Sequence, residues 1–147
     1  MQAVVVGAGI GGLATAIALE RTGVEPIVIE RAPELREAGF GLVVSANAVT
    51  ALHSLGLSEA VAAGGSRVRR AEIRNPRGDL LTRIDYEALG WETYGILRSE
   101  LQQVMLRAVP VERLRNFLEA NYVAPTSGVS GVEDIKASVT RVICVRK

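Results

Sequence analysis

Residues 4–31 carry the sequence VVVGAGIGGLATAIALERTGVEPIVIER, and this stretch decides the fold. The β-branched run over residues 2–6 stops at Gly7, which predicts a strand buried on both faces of a parallel sheet. Apolar residues then recur at helical spacing over residues 11–22, and Gly23 supplies the left-handed residue that commonly follows a helix. A strand, a glycine turn and a helix are therefore predicted in succession.

A second buried strand over residues 26–30 completes a βαβ unit. The later elements predicted from periodicity and turn residues are helices over 45–55 and from Ser58, an antiparallel hairpin over 68–74 and 79–84, a helix over 99–108 and a third parallel strand over 111–118. The predicted fold class is α/β: a Rossmann-like βαβ dinucleotide-binding fold with a parallel sheet and an added antiparallel β-hairpin, which we expect to be truncated.

The composition is that of one compact unit without strong charge. The 147 residues are 48% hydrophobic and 22% charged, with a formal net charge of +1, which argues against a disordered chain and against a nucleic-acid partner. Glycines interrupt the apolar N-terminal run, so we expect neither a signal sequence nor a membrane span. The lone Cys144 and the lack of metal-binding spacings predict a cytoplasmic protein without a metal. The oligomeric state stays open.

An arginine cluster lies in the middle of the chain, diluted by Glu72 and Asp79. Its pattern is typical of a solvated strand face, and an anion-binding surface is the alternative. The cluster comprises Arg67, Arg69, Arg70, Arg74 and Arg77.

The glycines of residues 7–12 match the pattern G-x-G-x-x-G, which is a weak signal alone because glycines are common in turns. The context strengthens it, because the motif follows a predicted strand and opens a predicted helix. Glu30 stands at the end of the next strand, at the interval expected for a carboxylate that binds ribose. The structural alternative is a glycine-rich turn beside an exposed strand-end acid.

Each motif residue has a predicted task in binding a dinucleotide. Gly7 permits the tight turn, Gly9 lets the backbone approach a pyrophosphate, and Gly12 lets the helix pack close to the strand. The unpaired N–H groups of the first helical turn favour an anion. Glu30 would accept hydrogen bonds from ribose hydroxyls, and its charge disfavours the 2′-phosphate of NADP.

Three blocks of sequence resemble the FAD-dependent aromatic hydroxylases, the flavoprotein monooxygenases similar to p-hydroxybenzoate hydroxylase. The blocks occur in the order and approximate spacing of that family, and the resemblance runs from Met1 to about Val109. They are residues 4–31, GFGLVVSANAVTALHSLGL over residues 39–57, and ILRSELQQVML over residues 96–106. The first block is shared by many FAD and NAD proteins, and the other two narrow the resemblance.

The resemblance implies further cofactor-binding residues. Arg98 would reach the FAD pyrophosphate or ribose with Gln102 beside it, and Arg31 would lie near the adenosine. A cation at a helix N-terminus opposes the helix dipole, so a bound anion would relieve Arg98. The alternatives are a capping box formed by Ser99 and Gln102, which needs no ligand, and an ordinary exposed arginine at position 31.

Five other residues are ambiguous from the sequence. Gly41 and Asn47 fall where the family approaches the flavin ring, although a loop glycine and a polar first-turn residue are the simpler interpretations. We interpret His53 as structural because no serine, cysteine or carboxylate partner for nucleophilic catalysis is recognisable, and Trp91 and Tyr94 as packing residues rather than flavin-stacking residues.

By resemblance the chain is part of an enzyme, an FAD-dependent monooxygenase that uses NADH or NADPH and O2 to hydroxylate an aromatic or other unsaturated small molecule. The flavin would carry the chemistry, so the sequence names no catalytic residue. One alternative is a non-catalytic dinucleotide-binding module or remnant. Another is an NAD-dependent oxidoreductase with the same glycine fingerprint.

The chain departs from the family after Pro110. The downstream Asp-Gly and Gly-Asp motifs and the substrate-covering sheet of those longer enzymes are not recognisable in it. We therefore predict an incomplete FAD-binding Rossmann-like domain over residues 1–118 and a divergent C-terminal segment over residues 119–147.

Overall fold

The computed structural model describes residues 1–32, 40–116 and 141–145. By their contacts the residues divide into two compact units, the first formed by residues 1–37 and 105–147 and the second by residues 38–104. The predicted boundary at residue 118 concerns a segment outside the described residues and stays a prediction.

The first unit is built on the predicted βαβ arrangement. Strand β1 (Gln2–Val6) pairs in parallel with β2 (Glu25–Glu30), and helix α1 (Ile10–Arg21) connects them. Helix α1 packs against both strands. Gly23 has φ +78° and follows the helix, which confirms its predicted left-handed conformation.

The core of the first unit lies between α1 and its two strands. Its buried apolar residues are Ala3, Val5, Leu13, Ala16, Ile17 and Val28. Burial alternates along β1, where Ala3 and Val5 are buried and Val4 and Val6 are half-buried. The prediction that both faces of β1 are buried was therefore wrong. Alternate side chains of a strand point to opposite faces, and α1 covers one of them.

The third parallel strand begins later than predicted. A 3-10 turn over Val111–Arg113 precedes strand β8 (Leu114–Asn116), which pairs in parallel with β2. The turn is closed by the Arg113 amide, which donates to the Pro110 carbonyl at 2.9 Å. The Arg113 guanidinium contacts Glu25, and this hydrogen bond raises the pKa of Arg113. Residues 117–118 lie outside the described residues.

A fourth strand, β9 (Arg141–Val145), pairs antiparallel with β1, and the sheet order is β8-β2-β1-β9. The sequence did not predict this strand.

The second unit contains a three-stranded antiparallel sheet of order β3-β7-β4. Its strands are β3 (Gly41–Val44), β4 (Ser66–Arg67) and β7 (Tyr94–Leu97). None of them was predicted, because each is short and pairs with residues more than 25 positions away. Helices α2 (Ala46–Ser54) and α3 (Ser58–Gly64) match the two predicted helices.

The predicted hairpin is confirmed. Strand β5 (Arg70–Arg74) pairs antiparallel with β6 (Leu80–Asp85), with an irregular register after Ile73. Gly78 has φ +93° in the connecting turn, and Asn75 Oδ1 accepts hydrogen bonds from the backbone amides of Arg77 and Asp79. The asparagine and glycine therefore shape the turn as such residues commonly do.

Helix α4 (Arg98–Arg107) follows β7 and matches the predicted helix over residues 99–108. Its buried apolar side chains include Leu101, Val104 and Met105. Among the helices of the described segments, none is long and apolar enough to cross a bilayer.

Candidate dinucleotide-binding site

The glycine turn begins where β1 leaves the sheet. The Gly7 amide donates to the Ile29 carbonyl at 2.7 Å, which adds one more bond to the pairing of β1 with β2. Gly7 itself has φ +100°, a conformation that side chains with a Cβ rarely adopt. The chain therefore turns away from β2 at a position that requires glycine, as the sequence predicted.

Helix α1 starts without a side-chain cap. Its N-cap residue is Gly9, with φ −72° and ψ 175°, and no acidic residue stands in the first turn. The first intrahelical bond runs from the Leu13 amide to the Gly9 carbonyl at 2.9 Å. In any α-helix the amides of the first turn have no acceptor within the helix. With the positive end of the helix dipole, these amides form a suitable environment for an anion.

Gly9 and Gly12 differ in what surrounds them. A Cβ placed on Gly9 would meet no atom within 4 Å, so the surface over this residue is open. A Cβ on Gly12 would overlap the carbonyl oxygen of Gly7 and lie 3.0 Å from its carbonyl carbon. Gly12 thus allows the helix to approach the end of β1, and Gly9 leaves the backbone accessible from outside.

The Glu30 side chain is directed at the glycine turn. Its Oε2 accepts a hydrogen bond from the Ala8 amide at 2.7 Å, and its Oε1 accepts one from the Ala32 amide at 2.9 Å. Glu30 is half-buried at the end of β2. The structure thus brings the strand-end carboxylate and the glycine motif together.

The other predicted cofactor residues are placed separately. Arg31 is exposed directly after β2. Arg98 is half-buried at the first position of α4 and Gln102 is 6% exposed in the same helix, and both belong to the second unit. Because α4 begins at Arg98, Ser99 lies inside the first turn and not at the N-cap position that a capping box requires. Contact of these three residues with a cofactor stays a prediction.

His53 has a partner that the sequence did not reveal. Its Nδ1 lies 3.0 Å from the hydroxyl oxygen of Ser58. His53 stands in the last turn of α2 and Ser58 is the first residue of α3. The contact joins the two helices, which supports the structural interpretation.

An open cleft in the second unit adjoins this pair. It has a volume of about 520 Å³, and its walls include His53, Ser58, Asn47 and Trp91. Trp91 is 49% exposed, so about half of its surface is covered, and its role as a packing residue stays a prediction. Asn47 lies in the first turn of α2 as expected, and its side-chain oxygen accepts a hydrogen bond from the Ser45 hydroxyl at 2.6 Å. Gly41 begins strand β3 and is not a loop residue.

The arginine cluster is balanced by carboxylates on the hairpin. Glu72 contacts Arg74 at 2.7 Å and Arg83 at 2.9 Å, and Arg70 lies 3.7 Å from Asp85. The hydrogen bond from Arg74 is the largest influence on the pKa of Glu72, which is lowered. This arrangement supports the solvated strand face over the anion-binding alternative. Within the described ranges, no three His, Cys, Asp or Glu side chains form a group suited to a metal ion.

Comparison with known proteins places this chain in a family. Residues 1–132 match the family model described as FAD binding domain. The FAD-dependent urate hydroxylase of Mycolicibacterium vanbaalenii is 35% identical over 76% of this chain. The phenazine 1,6-dicarboxylic acid hydroxylase PhzS of Lysobacter antibioticus is 43% identical over 72% of it.

Solved structures give the same assignment. Klebsiella pneumoniae HpxO, solved in complex with FAD and uric acid, superimposes with a TM-score of 0.69 and 30% identity over 80% of this chain. The matched regions are only part of these proteins. The chain spans 30% of the urate hydroxylase, 27% of PhzS and 31% of the HpxO chain. The chain belongs to the FAD-binding-domain family, and the two relatives named above are hydroxylases, of which the urate hydroxylase is FAD-dependent.

Proposed function

We propose that this chain forms the FAD-binding part of a flavin-dependent monooxygenase that hydroxylates an aromatic or other unsaturated small molecule with NADH or NADPH and O2. The observation that carries the proposal is the uncapped start of α1, where a Cβ on Gly9 would meet no atom within 4 Å and Glu30 is directed at the same turn. The matched relatives act on small ring compounds such as urate and 3-amino-4-hydroxybenzoate.

In this proposal the glycine turn binds the pyrophosphate. Gly7 sets the direction of the chain, Gly9 admits the phosphate oxygens to the backbone, and Gly12 holds the helix close to β1. Glu30 accepts hydrogen bonds from the adenosine ribose. Arg31, Arg98 and Gln102 are proposed from the family resemblance to supply additional polar contacts.

The flavin, when bound, supplies the redox chemistry of oxygen activation and hydroxylation. The residues of this chain bind and orient the adenosine and diphosphate portion of the cofactor. The proposed anion binding needs no lysine, because the amides and dipole of α1 provide the positive potential.

Titration of the full chain with FAD tests the proposal. We expect a bound flavin absorbance that stays with the protein after gel filtration, together with saturable quenching of flavin fluorescence. An NAD titration under the same conditions tests the alternative that the chain is part of an NAD-dependent oxidoreductase. Preferential binding of NAD over FAD would favour that alternative. The absence of any retained flavin would contradict the proposal.

A second candidate is a dinucleotide-binding module without turnover. The observation that favours it is the chemistry of the site, since the glycine turn and Glu30 are suited to binding a dinucleotide and carry no redox chemistry of their own. Substrate-dependent oxidation of NADH or NADPH with formation of a hydroxylated product would exclude this candidate. FAD binding without such oxidation would favour it.

The proposed cellular setting is the cytoplasm, and the proposed partner is a small-molecule substrate. A chain with one cysteine suits a reducing compartment, because it forms no intramolecular disulfide.

A further inference from the structure

The pairing of β1 with β2 ends at the glycine turn. Beyond that point a side-chain carboxylate, and not a backbone carbonyl of β2, accepts the next amide of the chain. The last paired residues are Val6 and Ile29, and the Gly7 amide donates to the Ile29 carbonyl. The positive φ of Gly7 then turns the chain away from β2. The next amide, that of Ala8, donates to the carboxylate of Glu30 at 2.7 Å.

The second carboxylate oxygen is also engaged. Glu30 Oε1 accepts the Ala32 amide at 2.9 Å, two residues further along its own segment. Glu30 thereby links the segment after β1 to the segment after β2. Ala8 is 3% exposed and Glu30 is half-buried, so this contact is partly shielded from water, where a hydrogen bond is stronger than in bulk solvent.

We propose that Glu30 is a positioning residue that holds the glycine turn in its binding conformation before any cofactor arrives. This inference goes beyond the ribose contact proposed above and rests on that proposed function only for its nucleotide test. The two roles are compatible, because each carboxylate oxygen has two lone pairs and can accept a ribose hydroxyl beside a backbone amide.

We call this arrangement, in which the two carboxylate oxygens of Glu30 accept the amides of Ala8 and Ala32, the clamp. The clamp requires a carboxylate at position 30. A glutamine has the same shape but accepts hydrogen bonds at one oxygen only, and its amide nitrogen is a donor. In Glu30→Gln one of the two backbone amides would therefore face another donor. A residue that served only the ribose would leave the unliganded turn unchanged by this substitution.

Hydrogen exchange of the unliganded full chain tests the clamp directly. In Glu30→Gln we expect the Ala8 or Ala32 amide to exchange about tenfold faster than in the wild type, because local opening costs less free energy when a hydrogen bond is lost. The control is Glu112→Gln, the same chemical change at an exposed residue of the 3-10 turn, where exchange of both amides should be unchanged. Unchanged protection of both amides in Glu30→Gln would overturn the clamp.

Binding of two different nucleotides distinguishes the clamp from a contact with the ribose alone. The clamp predicts that Glu30→Gln weakens binding of 2′,3′-dideoxy-ADP as well as of ADP, since the turn is altered for both, and the ribose contact adds a further loss for ADP alone. A loss confined to ADP would overturn it in favour of a ribose contact alone. If the wild type bound neither nucleotide, the proposed FAD function would fail, and the exchange experiment without nucleotide would still decide the clamp.

If Glu30→Gln does not fold, a measurement on the wild-type protein still tests the clamp. The temperature coefficient of the Ala8 amide proton distinguishes an amide bonded within the protein from one bonded to water. A small coefficient supports the clamp. A coefficient as large as that of a solvent-bonded amide overturns it.

Discussion

A Cβ on Gly12 would overlap the carbonyl oxygen of Gly7, the residue that follows β1. The Cβ is fixed in place by the backbone of residue 12, and the atom that it meets belongs to the backbone of Gly7. Rotation of a side chain therefore cannot relieve the overlap. We expect Gly12→Ala to lower the free energy of unfolding by about 2 kcal/mol or more, because α1 must move away from the strand. Urea unfolding followed by circular dichroism measures this change.

The control for this substitution is Gly11→Ala in the same turn of α1, where the residue is exposed. Alanine is the better helix former by about 1 kcal/mol, so stability should stay equal or rise. Equal stability of the two variants would contradict the close approach of α1 to β1.

Gly9→Ala should separate binding from folding. A Cβ at this position has no neighbour within 4 Å, and its φ of −72° suits any residue, so the unfolding free energy should change by less than about 1 kcal/mol. The methyl group would occupy the surface proposed for the pyrophosphate, so we expect FAD affinity to fall by about tenfold or more. Fluorescence titration measures the affinity, and an unaltered value would argue that the phosphates bind elsewhere.

Arg98→Met tests the cofactor contact implied by the family resemblance. If the guanidinium contacts the FAD phosphates or ribose, its loss should weaken FAD binding by about tenfold, the usual effect of losing a charge-assisted hydrogen bond. Arg77→Met, in the exposed hairpin turn, is the matched control and should leave affinity unchanged. Equal affinities for the two variants would remove Arg98 from the site.

The hairpin should show a pH dependence that originates at Glu72. Arg74 and Arg83 hold its pKa below the ordinary value of 4.5. A carboxylate with a lowered folded-state pKa stabilises the fold above its unfolded-state pKa and loses that effect as the pH falls through the folded-state value. We expect an NMR titration to place the Glu72 midpoint below 4.5, and Arg74→Met to raise it. An ordinary midpoint in the wild type would contradict these ion pairs.

Local patterns predicted some elements of this protein well. The βαβ unit, α2, α3, α4 and the hairpin all have helical or alternating periodicity with glycine, asparagine or proline at their ends, and these signals act within a few residues. Strands that depend on distant partners give no such local signal, which explains why some of them were not predicted. Strand β3 pairs with β7 about fifty residues later, and Gly41 and Gly95 leave each strand without a strong β-forming pattern.

The candidate site was predicted in part. The spacing between the glycines and Glu30 indicated a dinucleotide-binding site, and the structure brings these residues together. The contact between His53 and Ser58 was missed although the residues are five positions apart, because it depends on how the two helices meet. The half-exposure of Trp91 was not predicted either, since burial is a property of the folded surface.

The amino-acid sequence by itself determined the strand, glycine turn and helix of residues 2–21, because steric limits on Gly7 and the periodicity of α1 operate within the local chain. Tertiary structure alone decided that the carboxylate of Glu30 meets the amide of Ala8 and that β9 pairs antiparallel with β1. Those contacts join residues that are 22 or more positions apart, and their geometry follows from the packing and pairing of whole elements.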